Sequence, residues 1–142
     1  MTNREYRLAV QIVLRRGNQT LLLKRQNTGY EDGNYGLPAG HIEIGETVKS
    51  AAVREANEEI GIHIEESDLQ VFGVMHRTND VTYVDFFLEC TTWSGDIYNR
   101  EPEKCSGLSW TDISQLPSNM VPYVAIGLSL NNDSMWFHQL DS

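Results

Sequence analysis

Four side chains in one short stretch have the types and the spacing that can hold a hard cation. Arg54, Glu55, Glu58 and Glu59 fall at i, i+1, i+4 and i+5 within Thr47 to Ile60, a segment of helix formers without proline or glycine. Residues three and four apart share a helix face, so the three carboxylates project together and Arg54 lies one turn from Glu58. Such a stripe has two readings. One is a solvated acidic surface, the usual meaning of a charge run. The other is a Mg²⁺ site, because Mg²⁺ takes carboxylate, carbonyl and water oxygens and completes its octahedron with substrate phosphate. From Glu43 to Glu66 seven carboxylates face only Lys49 and Arg54, so −5 of the chain's net charge of −9 lies in this stretch. Carboxylates that close repel one another unless water screens them or a cation is bound.

The order of the residues is more specific than their charge. From Gly40 the stretch GHIEIGETVKSAAVREANEEIGI fits G-x5-E-x7-R-E-U-x-E-E-x-G-U, with U apolar, at Gly40, Glu46, Arg54, Glu55, Glu58, Glu59 and Gly61. This is the box of the Nudix hydrolases, which the chain resembles from Arg4 to about Leu130. Ala56 departs from the larger Leu, Ile or Val usual at its position, and Leu37-Pro38-Ala39-Gly40 continues the likeness ahead of the box. The resemblance implies an α/β fold, an α/β/α sandwich with a mixed sheet in which the box forms a loop, a helix and a loop. It implies hydrolysis of a nucleoside diphosphate linked to another moiety, with Mg²⁺ or Mn²⁺ as cofactor. By the same likeness Glu55, Glu58, Glu59 and the Ala39 carbonyl bind metal, Arg54 orients the glutamates and Glu46 braces the loop. Glu55 or Glu58 could take the proton of the attacking water. Family members often add a carboxylate from the region of Glu101 and Glu103, for which an exposed charged loop is the other reading.

Subgroup marks beyond the box are absent. Arg77-Thr78 and Asn79-Asp80 stand where ADP-ribose and diadenosine polyphosphate hydrolases tend to carry a proline and a tyrosine. Elimination leaves a compact nucleoside triphosphate pyrophosphohydrolase, similar to the mutator-suppressing type. A hydrolase of another diphosphate such as a nucleotide sugar, and a non-catalytic nucleotide-binding module, are the alternatives.

Candidate substrate contacts lie outside the box. Lys24 and Arg25 end a strand and could meet a phosphate, or form a solvated strand end. Tyr30 and Tyr35 lie in a loop where either could stack on a base. Asp85, alone among apolar neighbours, could face a base or sugar, against a simple sheet-face alternation. Asn119 could read a purine edge through its amide, or cap the helix that begins near Val121. The four histidines show no paired metal spacing. Trp93, Trp110 and Trp136 read as core or rim aromatics.

These residues need elements to position them. Tyr6 to Leu14 and Thr20 to Lys24 read as strands, and residues 26 to 36, with three glycines, as a long loop. Val48, Ala51, Ala52, Val53, Ala56 and Ile60 give the helix one apolar side, and Gly61 stops it. Leu69 to His76 and Val81 to Thr92 predict a hairpin, Gly107 to Thr111 a strand, Asp112 to Leu116 a short helical turn, and Val121 to Leu130 a second helix.

The 142 residues match one domain, expected to run from 1 to 142. A charge of −9 argues against long nucleic acid as partner, and the apolar runs are far too short for a bilayer. The polar N-terminal residues show no secretory pattern, so the expected location is cytoplasmic. The expected partner is a small nucleotide, and the chain is expected to be a monomer or homodimer. Cys90 and Cys105 read as buried thiols.

Overall fold

The computed structural model describes residues 5–130 and 134–141. Among them, eight strands form a mixed sheet in the order β3-β2-β1-β6-β5-β8, with β4 on β1 and β7 on β2. The strands are β1 (Tyr6–Arg16), β2 (Gln19–Arg25), β3 (Tyr35–Gly36), β4 (Ala39–His41), β5 (Gln70–Thr78), β6 (Thr82–Cys90), β7 (Cys105–Asp112) and β8 (Trp136–Asp141). The helices are α1 (Val48–Ile60) and α2 (Pro122–Ser129).

β1 organises the whole. Its residues 9 to 14 are all buried, which a strand requires when both faces of its sheet are covered. Alternate side chains go to opposite layers: Val10, Ile12 and Leu14 join the core under α1, and Val13 joins the core under α2. β2 divides in the same way, with Leu21 and Leu23 toward α1 and Leu22 toward α2. The result is the three-layer sandwich that the resemblance implies. Parallel pairing of β1 with β6 and of β5 with β8 makes the sheet mixed.

α1 begins at a capping box, in which the Thr47 hydroxyl accepts the Ser50 N–H and the Ser50 side chain accepts the Thr47 N–H. Gly61 ends it at φ 74°, a left-handed residue where glycine is favoured. Ala51, Ala52, Ala56 and Ile60 are buried, so the small alanines bring the helix close to β1 and β4. Ala56, the departure from the box pattern, belongs to this contact.

Three strands were not legible in the sequence: β3, β4 and β8. α2 starts at Pro122, and its N-cap is Val121 without a side-chain hydrogen bond, so Asn119 does not cap it. The Asn119 carbonyl instead accepts the Tyr35 N–H at 2.8 Å, and the Val121 N–H donates to the Tyr35 carbonyl at 2.8 Å. This short ladder pulls residues 119 to 121 into an extended conformation and moves the helix start past the expected cap.

Gly127 fixes how closely α2 lies on the sheet. A Cβ there would overlap the ring of Phe87, which is fully buried and has nowhere to turn. Gly127→Ala is therefore expected to lower unfolding free energy by about 1–3 kcal/mol through overpacking, although alanine is the better helix former. Urea titration checks this, and an increase in the midpoint would mean that α2 lifts without cost.

Cys90 and Cys105 are buried free thiols, and burial pushes Cys90 up to about 12. No helix among the described residues is long and apolar enough to cross a membrane.

Candidate active site

A cleft of about 1110 Å³ opens between the residue 23–31 segment, β4, the exposed face of α1 and the ends of β5 and β6. One wall carries Glu55, Glu58, Glu59 and Glu101, and Lys24, Arg25 and Lys104 also line the space. Arg77, Tyr83, Tyr123 and Gln11 line it as well.

Arg54 organises the acidic wall. Its Nε and Nη2 donate to the two oxygens of Glu46 at 2.7 and 2.9 Å, a bidentate pair. Nη1 donates to Glu55 at 2.9 Å and to Glu58 at 3.1 Å, and Nη2 also reaches the His41 carbonyl at 3.0 Å. One guanidinium thus ties the loop ahead of α1 to two carboxylates on α1. Glu46 is held down to about 2 chiefly by its hydrogen bonds from Arg54. It also receives the Glu43 N–H at 2.9 Å, which closes the turn from 43 to 46.

Glu59, on the same wall, is engaged by β4 instead of Arg54, its Oε2 accepting the Ala39 N–H at 2.9 Å. Burial, and then the Glu55 carboxylate, raises Glu59 well above the ordinary range, and burial also raises Glu55. Glu59 keeps some accessible surface as a residue, while its carboxyl end is the part enclosed. For Glu55 the Arg54 guanidinium opposes that burial.

Glu101 reaches this wall because its loop is fastened to the end of α1. The Tyr98 and Arg100 N–H groups donate to the Ile60 and Glu59 carbonyls at 3.1 and 3.0 Å, satisfying groups that a helix end leaves open. Glu101 acts on both Glu55 and Glu59 as a like charge.

The oxygen-only donor set of Glu55, Glu58 and Glu59 suits Mg²⁺ or Mn²⁺, and the lining of one cleft by all three carboxylates is the observation that favours a cation there. Among the described residues no group of three or more His, Cys, Asp or Glu is gathered into a ready coordination shell. Glu55 and Glu58 are turned to Arg54, and Glu59 to Ala39. The residues fit the metal, and holding one requires rotation of these side chains.

Four expected contacts are placed elsewhere. Glu103 does not line the cleft; it lies exposed, and its carbonyl accepts the Asn27 amide at 3.2 Å. Tyr35 packs against the core beneath α2, with Lys24 5.9 Å from its ring, while Tyr30 lines the cleft. Asn119 donates its amide to the Gly33 carbonyl at 3.0 Å and ties the chain before α2 to the glycine-rich loop. Asp85 is fully buried and takes Arg77 Nε at 2.6 Å, so it is a counter-ion beneath the cleft and not a wall of it. Lys24 and Arg25 do line the cleft. Gln11, Arg77, Tyr83 and Tyr123 were missed, since each sits within an ordinary strand or helix pattern and only strand register brings them together.

Comparison with known proteins bears on the family and the fold. A profile described as the NUDIX domain matches residues 5–126. The 8-oxo-dGTP diphosphatase of Escherichia coli is 34% identical over 124 residues, covering 86% of this chain and 95% of that protein. The ADP-ribose pyrophosphatase of Methanocaldococcus jannaschii is 44% identical over 55 residues, covering 39% of this chain and 32% of that protein. The chain spans about a third of the length of several curated relatives it matches. Among solved structures, a MutT NUDIX hydrolase from Burkholderia pseudomallei superposes with a TM-score of 0.83 at 26% identity, over 91% of this chain and 100% of that one.

Proposed function

This chain belongs to the NUDIX family of hydrolases acting on phosphoanhydride bonds, and from that premise we propose that it cleaves a nucleoside triphosphate to nucleoside monophosphate and pyrophosphate with Mg²⁺. The observation that carries the reading is the Arg54 bridge, which presents Glu55 and Glu58 beside Glu59 in a cleft also lined by Lys24, Arg25 and Lys104. The extent of the likeness to the Escherichia coli enzyme, nearly end to end, favours a triphosphate over ADP-ribose, since the Methanocaldococcus jannaschii pyrophosphatase is alike over 39% of this chain.

When bound, a divalent cation neutralises phosphate charge and lowers the pKa of an attacking water. Glu55, Glu58, Glu59 and the Ala39 carbonyl are the groups that would hold it. Arg54 and Glu46 set the direction of two of those carboxylates, and Lys24, Arg25 and Lys104 bear positive charge toward the phosphates. Glu59 has one oxygen committed to Ala39. Glu58, with its side chain 55% exposed, and Glu101 are the carboxylates best able to accept the water's proton. Glu103 has no such access.

The test is product analysis. With Mg²⁺, a nucleoside triphosphate is expected to give monophosphate and pyrophosphate in equal amounts, resolved by ³¹P NMR. Orthophosphate as the first product, or turnover confined to nucleotide sugars or ADP-ribose, would overturn the reading.

A further inference from the structure

The floor of the cleft beyond the carboxylates holds a polar pair that the hydrolytic chemistry does not use. In the β1–β4 ladder Gln11 is the partner of Ala39, so it lies one strand, about 5 Å, from the backbone beside the phosphate site. Arg77 is on β5, two strands beyond β1 in the order β1-β6-β5, which places the pair where a substrate reaching past its phosphates must lie.

Both side chains are held by the same buried carboxylate. Arg77 Nε donates to Asp85 Oδ2 at 2.6 Å and Nη2 reaches Oδ1 at 3.4 Å. The Tyr123 and Tyr83 rings lie 3.6 and 4.4 Å from the guanidinium carbon. With one edge docked and aromatic rings against it, the guanidinium offers the cleft its remaining edge, Nη1, for which no partner occurs among the described residues. Gln11 is 3% exposed, and its Nε2 donates to Asp85 Oδ1 and to the Tyr123 hydroxyl, each at 3.3 Å. A carboxylate only accepts, so the amide nitrogen must face Asp85, and Oε1 is left as the group Gln11 presents. Asp85 offsets the charge of Arg77, so this floor is a neutral donor beside a neutral acceptor. That suits an uncharged base edge better than another phosphate.

We infer that Gln11 and Arg77 read the lactam edge of the nucleobase, so that bases with a carbonyl beside a ring N–H (guanine, hypoxanthine, uracil and thymine) are taken in preference to adenine and cytosine, with guanine the best fit. A lactam presents a carbonyl oxygen next to a ring N–H, which matches Arg77 Nη1 as donor and Gln11 Oε1 as acceptor. In guanine the 2-amino group adds a second donor on the Gln11 side. Adenine and cytosine present an amino group and a bare ring nitrogen, so the donor meets a donor and the acceptor meets a lone pair. Buried polar groups left unpaired in this way are what makes such discrimination large. Tyr30, half exposed on the same cleft, can cover the face of the base. Guanine and 8-oxoguanine share this edge, so the pair selects on the lactam and is indifferent to oxidation at carbon 8.

The inference rests on nucleotide hydrolysis at the carboxylate site, and the experiment separates the two. Wild-type kcat/KM for dGTP and dITP is expected to exceed that for dATP and dCTP by about tenfold or more. Gln11→Met, of similar volume, and Arg77→Lys, which keeps a cation on Asp85, are expected to cut that ratio severalfold, mainly through KM. Gln11→Met is expected to change dGTP and 8-oxo-dGTP by the same factor. Thermal melts confirm that each variant is folded. Binding of dGMP and dAMP by calorimetry reads base preference without catalysis, with dGMP expected to be the tighter. Absence of any triphosphate turnover alongside tighter dGMP would sink the proposed activity and sustain the base reading. Turnover without lactam preference, or a preference untouched in both folded variants, would overturn the base reading alone.

Discussion

Glu59→Gln is expected to abolish hydrolysis while leaving the metal-free protein as stable as the wild type, or more so. Glutamine has the shape of glutamate and still offers an oxygen to the Ala39 N–H, which Glu59 accepts at 2.9 Å. Only the charge is removed. Burial and the Glu55 carboxylate raise the folded-state pKa of Glu59 well above its ordinary value. A carboxyl raised in this way costs stability as the pH climbs from the unfolded pKa toward the folded one, and the full cost persists above both. Glutamine carries no such cost, so Tm measured in EDTA near neutral pH should hold level or rise. The catalytic effect has the opposite sign. Losing one anionic metal ligand forfeits several kcal/mol of charge stabilisation, and about 4 kcal/mol corresponds to about a thousandfold in kcat. Saturating Mg²⁺ should raise the wild-type Tm by ligand linkage and the variant's by much less. Wild-type kcat in the variant would remove Glu59 from the metal site. A clear loss of Tm in EDTA would make it a structural partner of Ala39.

What could be read from the sequence follows the range of the interactions involved. The continuous apolar run of β1 and the one-sided alanines of α1 are local patterns, and both elements form where those patterns place them. The box glutamates share a face because helical geometry alone makes them share it. β3 and β4 are two and three residues long, too short for any periodicity, and exist through their ladders to β2 and β1. β8 does alternate, with Trp136 buried and Phe137 exposed, but an outward phenylalanine hides the polar face that would have marked it. The base-reading errors have the same origin. Asn119 follows a sound local rule for caps, overridden by a ladder to Tyr35, 84 positions earlier in the sequence. Asp85 does interrupt an apolar strand for a reason, and the reason is Arg77. Met75 is the register partner of Asp85, so Arg77 lies two residues along on the neighbouring strand, a diagonal relation that no one-dimensional pattern shows.

The second large effect separates catalysis from folding at one glycine. Gly40 pairs with Val10 in the β1–β4 ladder, and it is not among the glycines with positive φ, so its backbone conformation is open to alanine. A Cβ there would overlap the carboxyl group of Glu55, whose three atoms are the nearest to it. The obstructing atoms are the end of a flexible side chain, which can rotate away without disturbing the core. Gly40→Ala is therefore expected to fold with a stability within about 1 kcal/mol of wild type, the reduced freedom of the unfolded chain offsetting part of the cost. A methyl group there restricts where the Glu55 carboxyl can turn, so that it can no longer swing freely between the Arg54 Nη1 bond of 2.9 Å and a cation held with Glu58 and Glu59. Displacement of a reacting or ligating group by about 1 Å can cost about a hundredfold, so kcat/KM should fall at least that far. Glu55→Asp, one methylene shorter, should also lose activity alone. In combination it draws the carboxyl back from the new methyl group, so the double variant should be more active than the product of the two single effects implies. Strict multiplicativity would mean that Gly40 acts on something other than Glu55, and wild-type activity in Gly40→Ala would mean that the Glu55 carboxyl is not needed where it stands.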